Sequence, residues 1–342
     1  MKNRRLVLLM RRRIRRILGQ CVGTSIITDI DAAGRQIFPT SVLPVTSRSF
    51  VYSDAGEPVL LSPQGSPSRV RLIALDEDPP MVDLGTETGV GHLTSDEPGS
   101  GDIFATRGER IVRLNLSPPG TTVIHNVGRP VLALAAAGDG AFAAILAGGN
   151  VLPFIITADG QLRQLWNTGD VPGFFPTTLA VRGDRVFVGG WRFLGSVYTG
   201  VVVSIPRTGG GPGLIRTVAE LGTGTFEGSD LAASDRDYRQ PAAMVFLDDD
   251  LVIASAALLS SSLPGAPERS HLLRIVLTAT GVEQARSEIP VEVPDNYVNV
   301  TDMAELDGQL FLVDSRRRST RPETLDSQGR FLSGRLLRVC PD

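Results

Sequence analysis

The chain has 342 residues, a formal net charge of −3, 42% apolar and 21% charged residues, 37 glycines and 23 prolines. That apolar share excludes a disordered polymer and is enough for one large core or two ordinary domains. Lys2 is the only lysine among the 34 basic residues, so nothing after residue 2 builds a GxxxxGK phosphate loop, a Schiff base or a pyridoxal site.

Residues 1–16 hold eight basic residues (Lys2, Arg4, Arg5, Arg11, Arg12, Arg13, Arg15 and Arg16) and no acid, so the rest of the chain carries a formal −11. A body that acidic repels phosphate backbones, which argues against a nucleic-acid partner. A secretory signal needs an apolar stretch of about 7–15 residues, and Leu6–Met10 supplies only five before Arg11. Arg4-Arg5 followed by Leu6–Leu9 resembles a twin-arginine signal. Leu18-Gly19-Gln20-Cys21 resembles a lipoprotein cleavage box with Gln20 where a small residue belongs. On a helix, Leu6, Met10, Ile14, Ile17 and Leu18 share a face ringed by arginine, which suits an anionic membrane surface. Residues 1–20 therefore read either as an export or anchoring leader or as a disordered basic tail.

Beyond residue 20, short apolar runs separated by Gly, Asp, Asn and Pro predict many short strands. Asp29-Ile30-Asp31 opens like a calcium loop, but Ala33 replaces an oxygen donor and Thr40 stands where a bidentate glutamate belongs, so a turn is the better reading. The apolar stretch 131–149 is long enough to cross a membrane, yet Gly138-Asp139-Gly140 divides it into two strand-length pieces joined by a hairpin turn. The segments starting at Pro130, Pro176, Pro241 and Val300 each read as an apolar strand, an acidic tight turn and a second apolar strand. A second hairpin follows the first three, over 151–166, 200–221 and 271–290.

Four strands in roughly 40–55 residues is the period of a propeller blade. The blades fall at about 45–86, 90–128, 129–170, 174–223, 239–293 and 296–342. The prediction is an all-β, six-bladed β-propeller over residues 21–342, with seven blades as the alternative. The last blade has three strands, ending at Gly334–Cys340, and the segment Cys21–Ile30 supplies its missing outer strand. An antiparallel pair puts the end of one strand beside the start of the other, so Cys21 and Cys340 are expected to meet. A disulfide there belongs to an oxidising compartment and closes a loop worth about 3–5 kcal/mol in the chain-entropy model. The alternatives are two inert thiols or a lipidated Cys21.

The phrase Leu179–Gly190 followed by Gly200–Gly211 (GVVVSIPRTGGG) resembles the blades of bacterial six-bladed propellers of the NHL and YWTD-like groups. The resemblance covers most of residues 90–342. It implies a fold shared by extracytoplasmic binding proteins, scaffolds and some sugar-lactone hydrolases, and no single activity.

In such a ring the loops from second to third strand and from blade to blade lie on one face, and here they are long at 189–199, 222–240, 258–270 and 314–333. Trp191, Arg192, Asp235, Asp237, Tyr238, Arg239, Arg316 and Arg317 give that face aromatic surface and guanidinium forks, suited to a carboxylate, a sugar or a protein loop. Asp235, Arg236 and Asp237 equally make a surface turn of mutually paired charges. The lactonase-like alternative implies a divalent metal such as calcium at the channel mouth, with Asp230, Asp235, Asn296, Asn299 and Asp302 as candidate ligands. His92, His125 and His271 are scattered, with no HExxH helix and no GxSxG elbow.

The expected function is non-enzymatic binding of a protein or small ligand on the long-loop face, without a cofactor. An exported location is expected, with a membrane-surface contact through residues 1–20; a cytoplasmic location is the alternative. A metal-dependent hydrolase and a purely structural ring are the competing readings.

Overall fold

A computed structural model of the protein describes residues 23–28, 37–46, 49–54, 67–74, 81–88, 90–96, 102–116, 118–167, 169–227, 230–232, 239–255, 269–294, 298–315 and 334–341. The basic segment 1–20, Cys21 and the calcium-like turn at Asp29 lie outside these.

The strands form six sheets. Blade one is β2 (Pro39–Thr46), β3 (Ser49–Asp54), β4 (Pro67–Ala74) and β5 (Met81–Thr88). Blade two is β6 (Val90–Ser95), β7 (Ile103–Arg107), β8 (Arg110–Leu116) and β9 (Pro119–Asn126). Blade three is β10 (Val131–Ala136), β11 (Phe142–Leu146), β12 (Leu152–Ile156) and β13 (Leu162–Gln164). Blade four is β14 (Phe174–Arg182), β15 (Arg185–Leu194), β16 (Val197–Pro206), β17 (Arg216–Glu227) and β18 (Asp230–Ala232). Blade five is β19 (Pro241–Leu247), β20 (Asp250–Ser255), β21 (Leu272–Leu277) and β22 (Glu283–Ile289). Blade six is β23 (Val300–Leu306), β24 (Gln309–Asp314), β25 (Arg335–Cys340) and, as its outer strand, β1 (Gly23–Thr28).

Each inner strand packs on the inner strands of both neighbouring blades, and β23 meets β2, so the ring is closed. Closure comes from the N-terminus: β1 runs antiparallel to β25 with Gly23 opposite Cys340 and Ile26 opposite Leu337. Ile27 packs against a core of Ile37, Val42, Phe50, Tyr52, Phe311 and Leu336 drawn from blades one and six.

The sequence pattern follows the layers. The second strands are covered on both faces by adjacent blades, so β11 (FAAIL) is buried along its whole length and reads as an unbroken apolar run. The outer strands β13 and β22 face water and are mostly polar. Small residues (Ala133, Ala180, Ala243, Ala304) sit on the inner strands, where the sheets crowd the axis. Asp139, Asp248 and Asp307 hold φ of 55°, 52° and 53° in the turns after the inner strands of blades three, five and six. A short carboxylate side chain tolerates that left-handed turn, which explains the recurring acidic signal.

The ring has the six sheets expected, and the seven-blade alternative falls away. Two blade boundaries need correction. Blade one begins at Pro39, earlier than residue 45, because a proline at a strand's first residue need not donate to the ladder. Blade four carries a fifth strand, β18, paired to β17 beyond the predicted end at 223.

Candidate binding face

In every blade the inner strand starts, the second ends and the third starts at the same end of the sheet. The ends of β3, β15, β20 and β24 therefore share one face, and among the described residues the β15–β16 hairpin closes there at Gly195-Ser196.

β15 and β16 pair from Arg185↔Pro206 out to Leu194↔Val197, carrying the sheet beyond the length of its neighbours. Directly paired residues share a side, so Trp191 lies beside Phe175 on β14, and Phe193 beside Tyr198 on β16. The rings form a column. Phe175 and Trp191 stack at 4.2 Å and 14°, Trp191 and Tyr198 lie 5.1 Å apart, and Tyr198 and Phe193 lie 4.4 Å apart. Phe175, at the open end, is 45% exposed. Stacked and tilted aromatic pairs contribute about 0.5–1.5 kcal/mol each beyond area burial, so the column is a rigid shelf.

Gly200 stands opposite Trp191, and a Cβ there would overlap the main-chain carbonyl of Arg239, so only glycine lets the blade-five linker lie this close to the shelf. The Arg239 guanidinium lies 3.9 Å from Glu288 Oε2, and Glu288 Oε1 lies 2.6 Å from His271 Nδ1. His271 and Glu288 line a groove of about 650 Å³, with Arg269 and Glu292 among its polar groups and Leu272, Ile289 and Val298 among its apolar ones.

A second cavity, about 460 Å³, follows the axis and is lined by inner-strand residues of all six blades. In its wall the Ser41 hydroxyl donates to Asp302 Oδ2, the Val42 N–H donates to the same oxygen at 3.2 Å, and the Leu93 N–H donates to Ser41 Oγ at 2.8 Å. One serine thus ties blades six, one and two together.

Burial holds the Asp302 carboxyl above its ordinary value of 3.8, opposed by His92 and by hydrogen bonds from Ser41 and backbone N–H groups. A carboxyl raised in the fold contributes stability below its unfolded pKa and loses it as pH rises through the raised value. Asp302→Asn keeps an acceptor for Ser41 and Val42 but does not titrate. Its melting temperature relative to the unsubstituted protein is therefore expected to rise as pH increases above the ordinary carboxylate value of 3.8. A difference that stays constant with pH, followed by circular dichroism, would contradict this account.

The sequence-derived residues are distributed as follows. Trp191 and Arg192 lie on β15 on opposite sides; Trp191 joins the shelf, and Arg192 pairs with Glu220 at 3.2 Å. Arg239 borders the shelf. Asp230 opens β18. Asp235, Asp237, Tyr238, Arg316, Arg317 and Asn296 lie outside the described residues. Asn299 and Asp302, the described remainder of the suggested metal set, are engaged separately. The Asn299 amide donates to Ser315 Oγ at 2.8 Å, and Asp302 is held by Ser41. Among the described residues no three His, Cys, Asp or Glu side chains group as a metal cage.

Sequence reasoning passed over Phe175, Phe193 and Tyr198. The Gly195-Ser196 turn was the available signal, because folding the chain there sets Phe193 opposite Tyr198.

No protein-family model and no curated protein matches the chain. Among solved structures it is similar to the PQQ-bound aldose sugar dehydrogenase of Streptomyces coelicolor, with a TM-score of 0.58 and 14% identity over 94% of this chain and 98% of that one. It is similar to a luciferin-regenerating enzyme, with a TM-score of 0.55 and 11% identity over 92% and 94% of the two chains. It is also similar to the calcium-binding protein regucalcin of Agrobacterium tumefaciens, with a TM-score of 0.53 and 11% identity over 95% and 98%. At such identities the likeness is one of fold: the protein is a six-bladed β-propeller, and its fold-level resemblance to the NHL and YWTD-like type holds. Neighbours that share this ring include enzymes and binding proteins, so activity rests on the site.

Proposed function

We propose that the protein is a non-enzymatic binding propeller that takes its ligand on the long-loop face, with the Phe175–Trp191–Tyr198–Phe193 column as anchor. The observation that supports this is the open end of the column. A ring stack with a half-exposed phenyl at its end presents an aromatic surface to solvent, whereas aromatic residues that only hold a fold are covered.

Trp191 and Trp166 are the only tryptophans, and Trp166 is buried at 4% exposure, so a ligand on the shelf alters the emission of Trp191. Titrating the protein with neutral polysaccharides, a proline- and tyrosine-rich decapeptide and aromatic carboxylates is expected to give a change that Trp191→Phe removes and Phe175→Ala weakens. A panel without a binder, or a binder indifferent to Phe175→Ala, would overturn the reading. Lactone hydrolysis by the purified protein would overturn its non-enzymatic part.

An exported location is part of the same proposal. Gly23, two residues after Cys21, stands opposite Cys340, and no cysteine among the described residues is free. Both facts support a Cys21–Cys340 disulfide, which persists in an oxidising compartment. Mass measurement of the unreduced, alkylated protein tests it: two alkylated thiols would refute the bond.

A further inference from the structure

We propose that the seam between blades two and three is a pH-sensitive joint, closed while the imidazole of His125 is neutral and loosened when that ring takes up a proton. This inference is independent of the ligand reading and rests on the surroundings of one side chain.

His125 lies on β9, the outer strand of blade two, opposite Ile111 of β8. Its ring meets the ring of Phe142, on β11 of blade three, edge to face at 6.0 Å. Phe142 in turn meets Phe104, on β7 of blade two, edge to face at 4.9 Å. One ring of blade three is thus held by two rings of blade two, and Phe104, Ile111 and Phe142 are all buried. Blade three also lays the β12–β13 turn against the histidine. Gly160 in that turn holds φ of 82°, and a Cβ there would stand 3.0 Å from His125 Nδ1. The other ring nitrogen, Nε2, is buried and has no hydrogen-bond partner among the described residues.

Such a site suits a neutral ring and not a cation. Imidazolium carries a donor on both nitrogens, so Nε2 would hold a charged N–H with nothing to accept it. Burying a charge without a partner is costly, and the ring is relieved by swinging out to water, which takes it off Phe142 and off the turn. Burial accordingly holds the His125 pKa below its ordinary value of 6.5, opposed by the carboxylate of Asp159.

Asp159 sits beside Gly160 in the same turn and accepts the Thr157 hydroxyl. On β8, Arg110 stands opposite Asn126, while Arg113, opposite Thr122, lies 3.7 Å from Asp102. Arg107 of β7 is paired across the ladder with Arg110. β11 has no charged residue, and Arg163 of β13 donates to the Arg207 carbonyl at 2.7 Å. Asp159 is therefore the counter-charge that acts on His125 from across the seam.

The sign follows from linkage. A histidine whose pKa is lowered in the closed joint contributes its full share of closure above pH 6.5 and loses it as pH falls below that value. A single titrating group changes an opening equilibrium by at most about tenfold per pH unit.

Hydrogen exchange of the whole protein at about pH 7.5 and about pH 5.5, corrected for intrinsic rates, is the test. Protection of the β9 amides and of the β12–β13 turn is expected to fall about threefold to tenfold at the lower pH. In His125→Phe, which keeps a ring against Phe142 and does not titrate, it is expected to stay level; His125→Gln carries the same comparison if the phenyl ring does not fit. Asp159→Asn removes the counter-charge and is expected to deepen the loss at about pH 5.5. The His125 ring-proton resonance, identified by its absence from the substituted protein, is expected to titrate with a midpoint below 6.5. An equal loss of protection in the variants that do not titrate, protection that ignores pH in the unsubstituted protein, or a midpoint at or above 6.5 would each overturn the joint.

Discussion

With the thiols reduced, so that no disulfide contributes, removal of residues 1–31 is expected to lower the unfolding free energy by about 3–5 kcal/mol, while removal of residues 1–18 leaves it unchanged. The longer deletion takes away β1, the outer strand of blade six. Its ladder with β25 runs from Gly23↔Cys340 to Thr28↔Leu336, and Thr24 Oγ1 also accepts the Glu292 N–H at 3.1 Å, tying the strand to the linker after blade five. Each ladder bond is worth about 0.5–1.5 kcal/mol net, and uncovering the Ile27 side chain from the blade-one and blade-six core adds a further fraction of the roughly 1.5–3 kcal/mol of full burial. The entropy regained by the shorter chain offsets part of this. The deletion also turns β25 into an open edge, so the longer truncation is expected to aggregate on heating. Thermal unfolding followed by circular dichroism makes the comparison, and equal melting temperatures for the two shortened chains would refute closure of the ring by β1.

That closure was legible in the sequence for a physical reason. Blades three, five and six advertise themselves by an apolar strand, an acidic residue that takes positive φ, and another apolar strand, as at Asp139, Asp248 and Asp307, and in blade four Gly183 takes that φ beside Asp184. Counting strands by that rule left the last blade one short, and only the N-terminal segment was unassigned. Blade one was less legible because its first hairpin, β2 to β3, carries prolines at 39 and 44 and no acidic turn. The shelf was half legible. Trp191 stands out by composition, but its partners become visible only when the register of β14, β15 and β16 brings Phe175 and Tyr198 alongside. The channel clasp was hidden further still, since Ser41 and Asp302 are separated by 261 residues and meet only because the ring closes.

Replacing Arg335 by methionine is expected to cost about 3–5 kcal/mol, the other large effect. Asp314, the last residue of β24, is 0% exposed and Arg335, the first of β25, is 3% exposed; they stand opposite each other in the sheet. Arg335 Nε and Nη2 donate to Asp314 Oδ2 at 2.9 and 2.5 Å, and the Asn299 N–H donates to Oδ1 at 2.8 Å, so the carboxylate also caps the start of the inner strand. Blade one repeats the device: Asp54, last in β3, accepts the Phe38 N–H at 3.0 Å and lies 3.7 Å from Arg71. Between the two pairs, the Gly334 N–H donates to the Ile37 carbonyl across the junction of the blades at 2.8 Å. Removing one partner strands a buried charge, whereas removing both does not. The double substitution Asp314→Leu with Arg335→Met is therefore expected to be less damaging than the sum of the singles by about 2 kcal/mol or more, its residual cost including the hydrogen bond that the Asn299 N–H gives Asp314. Urea unfolding of the two singles and the double gives the coupling directly. Additive losses, or a loss below about 1 kcal/mol for Arg335→Met, would mean that the fork lies in a wetter environment than its burial indicates.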